Sequence, residues 1–232
     1  MDIKHNYREC GEGHPLLLLH GNGESLEYFD NQFEALGSSY HVFALDTRGH
    51  GKTPRGHAPF TIRQFADDLA AFMDIHGIER AHILGFSDGG NIAMVFALNY
   101  PNCVNKLILN GANMDPSGVK KSIQIPIEIG YRIALLFSKK SYDAHCHAEV
   151  LGLMVNDPNL TPGQLSNIDA PTLVIAGTHD MIKASHTETI ARCIPHSTLA
   201  FIPGDHFIAK RNPLQFNETV LRFLDDHAST SA

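Results

Sequence analysis

A serine flanked by glycines lies where an apolar run meets a helix-like segment. Residues 82–90 read HILGFSDGG, and the pattern G-x-S-x-G covers residues 85–89 with Ser87 at its centre. Small residues on both sides of the serine permit a sharp strand-to-helix turn that exposes the hydroxyl at the amino end of a helix, where developing negative charge is favoured. Ser87 is therefore a candidate nucleophile. The alternative is a glycine-rich turn in which Ser87 only caps the helix.

A serine hydroxyl is a weak nucleophile unless a neighbouring base takes its proton. Two later segments, each after an apolar run, supply suitable side chains. Asp180 is the last residue of AGTHD, and His206 lies in GDHF. His206 as the base and Asp180 as the acid that orients it would complete a catalytic set. Asp205 and His179 are adjacent candidates, but each would have to fold back onto its neighbour in sequence. The alternatives are a helix cap for Asp180 and a plain loop histidine for His206.

Acyl transfer at Ser87 would also require backbone N–H donors for the oxyanion. The N–H of Asp88, the residue after the serine, is one candidate. The loop HGNG at residues 20–23 follows four leucines and offers the second candidate at Asn22, with Gly23 as the fallback. A plain glycine-rich turn is the alternative interpretation of this loop.

These residues need a scaffold that brings distant segments to one edge. Helical periodicity alternates with short apolar runs that are typical of strands buried on both faces. The predicted strands are Asn6–Cys10, Leu16–Leu19, His41–Asp46, His82–Phe86, Lys106–Asn110, Thr172–Gly177 and Thr198–Ile202, and the predicted helices are Thr61–His76, Asn91–Asn99 and Pro213–Asp226. This alternation predicts an α/β fold whose mostly parallel sheet is covered by helices on both faces.

About sixty residues separate the strand that ends near Asn110 from the strand that begins at Thr172, which is too long for an ordinary connection. We expect a single domain over residues 1–232, with its core at 1–115 and 170–232 and a small helical cap insertion at about 116–169. The cap contains an apolar segment, Ile123–Phe137, and a helix-like segment, Tyr142–Val155. Three interpretations of the apolar segment stay open: a substrate pocket, packing on the sheet edge, or contact with a membrane surface.

Composition excludes several classes of function. The formal charge of −7 argues against a nucleic-acid-binding surface, which requires clustered Lys and Arg. The four cysteines are widely spaced and read as free thiols, and residues 145–147 (HCH) form a poor metal chelate. The first residues do not resemble a signal peptide, and the run at residues 16–19 is too short for a membrane span. We therefore expect a cytoplasmic protein without metal, cofactor, nucleic-acid partner or membrane span.

Five segments taken together resemble the α/β-hydrolase superfamily. They are HGNG at 20–23, DTRGHG at 46–51, GFSDGG at 85–90, GTHD at 177–180 and GDHF at 204–207, and they follow the order of the family over nearly the whole chain. The resemblance implies the α/β-hydrolase fold, the catalytic residues Ser87, Asp180 and His206, and an oxyanion hole formed by the backbone N–H groups of Asn22 and Asp88. It also implies that residues 46–51 form a structural turn.

The resemblance predicts a serine hydrolase, most simply a carboxylesterase that acts on small esters through an acyl-serine intermediate. Three alternatives stay open: an aminoacyl-ester hydrolase or aminopeptidase-like enzyme, a carbon–carbon bond hydrolase, and a non-catalytic ligand-binding protein of the same fold. The first alternative depends on Asp88, whose carboxylate would attract a cationic amine unless it merely caps the following helix. Ser87 argues against epoxide hydrolases and haloalkane dehalogenases, which resemble the family but carry an aspartate nucleophile.

Overall fold

The protein is built around a seven-stranded sheet, as seen in a computed structural model that describes residues 2–226. The strands are β1 (Tyr7–Cys10), β2 (Pro15–Leu19), β3 (His41–Leu45), β4 (Ala81–Phe86), β5 (Val104–Asn110), β6 (Thr172–Gly177) and β7 (Ser197–Ile202). Their spatial order is β1-β3-β2-β4-β5-β6-β7, and only the edge strand β1 runs antiparallel to its neighbour. The predicted α/β class and mostly parallel sheet are confirmed.

Helices cover both faces of this sheet. They are α1 (Asp30–Gly37), α2 (Ile62–Ile75), α3 (Asp88–Asn99), α4 (Lys121–Phe137), α5 (Tyr142–Asn156), α6 (Pro162–Leu165), α7 (Ala184–Cys193), α8 (Ile208–Arg211) and α9 (Pro213–Asp225). Short 3-10 helices occupy Leu26–Phe29, Pro101–Cys103 and Pro116–Gly118. The sequence did not predict α1, and α3 begins three residues earlier than expected because the helix starts directly after Ser87.

The core lies on both sides of the sheet, and β2 shows the division most clearly. Leu17 and Leu19 point to a cluster formed with α2, α3 and α7, whereas Leu16 and Leu18 point to a second cluster formed with α1, α8 and α9. All four side chains are at most 1% exposed. Each buried leucine contributes about 1.5–3 kcal/mol through the removal of apolar surface from water.

The segment between β5 and β6 leaves the sheet and forms a cap from α4, α5 and α6. Helix α4 packs mainly on α5, and Gln124 is its one buried residue, whereas α5 buries Ala148 and Leu153. The apolar segment is thus a largely exposed helix, which argues against the interpretation that it packs on the sheet edge. The single-domain prediction for residues 1–232 stays a prediction, and residues 1 and 227–232 lie outside the described range.

Two further features concern the cysteines and the length of the helices. The thiols of Cys10, Cys103, Cys146 and Cys193 are free. Within residues 2–226, no helix combines the length and the apolar composition that a bilayer crossing demands.

Candidate active site

Ser87 lies at a strained turn between β4 and α3. Its φ and ψ of 53° and −119° place a non-glycine residue in a region that L-amino acids rarely adopt. The glycines around it are needed for space, because a Cβ on Gly85 would lie 2.2 Å from the Gly89 carbonyl oxygen, and one on Gly89 would lie 2.0 Å from the Leu19 carbonyl oxygen. The turn is fixed by the Ser87 N–H, which donates to the Asn110 carbonyl at 2.8 Å.

The structure brings the three predicted side chains into one hydrogen-bonded line. His206 Nε2 lies 3.0 Å from Ser87 Oγ, and His206 Nδ1 lies 2.7 Å from Asp180 Oδ1. Asp180 and His206 are 3% and 5% exposed, so water screens their interaction little. Asp180 Oδ1 also accepts from the Ile182 N–H at 2.9 Å, so this carboxylate fixes its own loop as well as facing the ring. The Ser87 side chain makes no capping bond to α3.

The histidine ring is held by packing on two sides. Phe86 stacks on Tyr28 with ring centroids 4.1 Å apart, and its ring centroid lies 4.8 Å from that of His206. Gly111, directly after β5, has φ of +62°, and a Cβ there would lie 2.8 Å from His206 Cε1. Sequence reasoning did not single out Phe86 or Gly111. The glycine that directly follows a buried strand was the one available signal for Gly111.

The two adjacent candidates have other partners. Asp205 accepts from the Phe207 N–H at 3.0 Å and forms an ion pair with Arg211. The His179 ring contacts the Thr178 hydroxyl at 3.0 Å. Neither side chain takes part in the line that joins the serine to its predicted base.

The loop at residues 20–23 lies against the turn that carries the serine. The Asn22 side-chain amide donates to Asp88 Oδ2 at 2.9 Å and to the Val150 carbonyl oxygen of α5 at 2.8 Å. Asp88 is the first residue of α3, and N–H groups in the first turn of a helix have no acceptor within the helix. The two predicted oxyanion donors therefore belong to segments in direct contact, and one of them is joined to the cap.

The Asp88 carboxylate is buried and accepts from side-chain amides. Its Oδ1 accepts from Asn91 Nδ2 at 3.1 Å, and Asn91 Nδ2 also donates to Asn113 Oδ1 at 3.2 Å. Burial raises the pKa of Asp88 to about 6, against the opposing effect of the Asn22 and Asn91 amides. Sequence reasoning missed this chain of amides, and a role for Asp88 in substrate recognition stays a prediction.

His20 fixes the start of the same loop. Its Nδ1 donates to the Gly21 carbonyl at 2.7 Å, while Nε2 accepts from the Thr47 N–H at 3.0 Å, so both ring nitrogens are satisfied in the neutral form. Burial is the main reason that the pKa of His20 is lowered to about 4, and the neighbouring His50 lowers it further. Protonation of His20 Nε2 would turn this acceptor into a donor, and the hydrogen bond from the Thr47 N–H would be lost.

The segment at residues 46–51 forms a structural turn. The Asp46 carboxylate accepts from the backbone N–H groups of Leu26 and Lys52, both at 2.8 Å, and from Asn6 Nδ2 at 2.7 Å. A Cβ on Gly51 would lie 2.2 Å from this carboxylate. The acid is thus occupied by hydrogen bonds that close the loop after β3.

Residues 145–147, HCH, carry two imidazoles and a thiol in adjacent positions. Within the described part of the chain, no group of three or more His, Cys, Asp or Glu side chains is arranged to hold a metal ion. His145 instead lies 3.6 Å from Glu149, the carboxylate that pairs with Arg55.

Comparisons with known proteins agree with this fold. The family model described as "alpha/beta hydrolase fold" matches residues 14–127. The chain is 29% identical to the "Putative carbamate hydrolase RutD" of Caulobacter sp. (strain K31), over 92% of this chain and 91% of that protein. A solved hydrolase from Pseudomonas aeruginosa PA01 is 28% identical with a TM-score of 0.80, covering 95% of this chain and 94% of its own. The enol-lactonase from Burkholderia xenovorans LB400 has a TM-score of 0.82 at 21% identity over 97% of both chains, which is a likeness of fold alone.

Proposed function

The chain belongs to the α/β-hydrolase superfamily, and on that premise we propose that it is a serine hydrolase that cleaves small carboxylic esters through an acyl-serine intermediate. The observation that carries the proposal is the hydrogen-bonded line from Asp180 through His206 to Ser87. A binding protein of this fold would have no use for a strained serine with a buried base and acid behind it.

In the proposed reaction, Ser87 Oγ attacks the ester carbonyl while His206 Nε2 takes its proton. Asp180 holds the ring in the tautomer that leaves Nε2 free to accept and stabilises the imidazolium that forms. The N–H groups of Asp88 and Asn22 stabilise the oxyanion of the tetrahedral intermediate. His206 then gives the proton to the leaving alcohol, and a water molecule, activated by the same ring, hydrolyses the acyl-serine.

The preference for small esters rests on the position of the cap. Asn22 ties the loop after β2 to the Val150 carbonyl of α5, so the cap contacts the loop that carries one of the proposed oxyanion donors. Ser87 is itself only partly exposed. A short acyl group fits such a site more easily than a long one, because a long chain would have to displace the Asn22–Val150 hydrogen bond.

The test is hydrolysis of p-nitrophenyl esters from acetate to octanoate by the unmodified protein and by Ser87→Ala. We expect kcat/KM to fall with acyl length and to drop by about 10³-fold or more in Ser87→Ala, since loss of a triad nucleophile has effects of that order. Ser185→Ala, in helix α7 away from the line of three residues, is the matched control and should keep full activity. Turnover that survives in Ser87→Ala would refute the assignment of the nucleophile.

Labelling by a fluorophosphonate probe separates an enzyme from a non-catalytic protein of the same fold. A reactive serine with a positioned base should be labelled at Ser87, and the label should disappear in Ser87→Ala and weaken strongly in His206→Gln. A protein that hydrolyses no ester and resists the probe would be a ligand-binding protein rather than a serine hydrolase.

A second substrate class follows from the relatives, several of which carry the name of a carbamate hydrolase. A carbamate differs from an ester by a nitrogen on the carbonyl carbon. Ser87 Oγ, with His206 as the base, could attack that carbon in the same way. An unsubstituted carbamate therefore belongs in the same assay beside the acetate ester. The ratio of the two kcat/KM values decides which class the site prefers.

The aminoacyl-ester alternative depends on a free Asp88 carboxylate. Both oxygens of that carboxylate accept hydrogen bonds, from Asn22 and from Asn91, and the side chain is buried. These contacts favour a supporting role over a role in binding a cationic amine. Equal kcat/KM for an alanyl ester and the matching propionyl ester is the expected result, and a strong preference for the alanyl ester would overturn it.

A further inference from the structure

Helix α4 exposes a continuous apolar stripe on the outer face of the cap. Ile125, Ile129, Ile133 and Leu136 are 51%, 53%, 52% and 75% exposed. Their spacing of four, four and three residues places them on one side of a helix. Soluble proteins rarely leave a row of large apolar side chains in water without a partner, so this stripe indicates an interaction surface.

Basic residues stand at both ends of the stripe. Lys120 precedes α4 and Lys121 is its first residue, whereas Lys139 and Lys140 follow the helix. All four lysines are exposed. Arg132 lies on the exposed part of the helix, and Glu128 is the one acidic residue in the sequence from 120 to 140. Residues 120–140 therefore carry five basic residues and one acidic residue, so this segment is positively charged although the chain as a whole carries a formal charge of −7.

We propose that α4 lies on an anionic lipid surface, with the stripe in the interface between headgroups and acyl chains and the flanking lysines on the lipid phosphates. An apolar helical face with cationic borders is the pattern that binds in the plane of a membrane. Each lysine near an anionic leaflet contributes favourable electrostatic energy, whereas the negative charge of the rest of the protein keeps the core domain away from the lipid.

The charge pattern argues against a second copy of this chain as the partner. In a twofold dimer the same helix packs on itself, either parallel or antiparallel. Parallel packing brings Lys120 and Lys121 of both copies together, and antiparallel packing brings them to Lys139 and Lys140 of the other copy. Either arrangement places like charges side by side at both ends of the interface, and like charges across an interface are unfavourable. An anionic lipid surface satisfies every one of these lysines.

The site of contact has a structural link to the proposed active site. Helix α4 packs on α5, and the Val150 carbonyl of α5 accepts the hydrogen bond from Asn22. A membrane that holds α4 therefore holds the helix that covers the loop after β2. The lipid-binding inference itself does not depend on hydrolysis, and it stands or falls on binding alone.

The experiment is co-sedimentation of the protein with vesicles of phosphatidylcholine, alone or with about one third phosphatidylglycerol, a fraction that gives an anionic surface. We expect binding to the anionic vesicles, weakening in high salt, and at least tenfold weaker binding to the neutral vesicles. Binding is measured without ester, so a failed serine-hydrolase proposal would leave the result unchanged.

Two double variants divide the apolar and the electrostatic contributions. Ile125→Gln with Ile129→Gln removes half of the stripe, and Lys139→Gln with Lys140→Gln removes the cations at one end. Each should lower the partition coefficient about tenfold or more. The matched control is Leu214→Gln in α9, which removes an apolar side chain that is 79% exposed but lies outside the cap. All variants should keep the circular dichroism spectrum and the activity on a soluble acetate ester.

Three outcomes would overturn the proposal. One is equal binding to neutral and anionic vesicles, and another is unchanged binding by both double variants. The third is a stable dimer in analytical ultracentrifugation that Ile125→Gln with Ile129→Gln dissociates, which would make the stripe a contact between copies of this chain.

Discussion

Replacing Gly111 by alanine places one methyl group against the proposed catalytic base. The new Cβ would lie 2.8 Å from His206 Cε1, 2.9 Å from His206 Nδ1 and 3.3 Å from Asp180 Oδ2. The first two separations are shorter than real Cβ contacts allow, so the imidazole ring has to move. It cannot retreat freely, because Phe86 packs on it and Ser87 and Asp180 hold its two nitrogens.

Two effects add up in this variant. The backbone effect comes from the φ of +62°, which costs an L-residue about 1–2 kcal/mol relative to glycine. The contact effect comes from overpacking and costs about 1–3 kcal/mol, depending on how far the ring relaxes. A ring displaced by a large fraction of an ångström also loses its geometry with Ser87 Oγ, and misplacement of that size costs about 10²-fold in rate.

Gly77 offers a matched control for the backbone effect. It follows α2 with φ of +65°, and an added Cβ would find nothing within 4 Å. Gly77→Ala should therefore lower the free energy of unfolding by about 1–2 kcal/mol. It should leave kcat/KM unchanged, whereas Gly111→Ala should lower the free energy of unfolding by about 2–5 kcal/mol and kcat/KM by about 10²-fold.

The assay pairs urea unfolding with kcat/KM on p-nitrophenyl acetate, under conditions in which all three proteins are fully folded. The two readouts separate loss of stability from loss of geometry. If Gly111→Ala and Gly77→Ala gave the same unfolding free energy and the same kcat/KM, the contact between residue 111 and the histidine would have no influence on the reaction, and the reasoning would be refuted.

The remaining predictions concern stability. The pKa of His20 is lowered to about 4, so the unfolded chain binds more protons below pH 6.5, and stability should fall by about 3 kcal/mol between pH 6.5 and 4. The difference in unfolding free energy between the unmodified protein and His20→Gln, measured in urea at each pH, isolates this effect from that of Asp88, whose raised pKa makes stability change in the opposite direction. A difference that stays constant between pH 6.5 and 4 would contradict the prediction. Asp68→Asn removes one of the two carboxylates that pair with buried Arg48 and should lower the free energy of unfolding by about 3 kcal/mol. Asp30→Asn removes the exposed ion pair with Arg8 and should lower the free energy of unfolding by less than about 1 kcal/mol. Equal losses of unfolding free energy in the two variants would refute the argument.

The sheet could be predicted because its strands are buried on both faces. The runs that contain β2, β4 and β6 are apolar without alternation, and each forms a strand whose ends differ from the predicted ones by at most one residue. Helix α1 was missed because its sequence, DNQFEALG, buries only Gln32, Phe33 and Leu36 and carries a weak apolar pattern. Tertiary contact with α9 supports it instead.

The positions of Ser87, Asp180 and His206 could be predicted because each follows a buried strand, and parallel strands bring their carboxyl ends together. The environment of these residues could not. The Asn22 amide bridges Asp88 and Val150, which lie 66 and 128 residues away in sequence, and no local pattern contains such a contact. The fit of Gly111 against the imidazole likewise exists only after β5, β6 and β7 have joined in one sheet.

The order of the strands has a consequence for synthesis of the protein. The turn that carries Ser87 follows β4, but Asp180 and His206 follow β6 and β7, which come much later in the sequence. Ribosomes release the amino-terminal strands first. A nascent chain that has just emerged past β5 can hold the serine in its turn, yet it has neither base nor acid to activate it. The proposed nucleophile thus stays inert during the synthesis of the strands before β7 and gains its reactivity only when β7 joins the sheet.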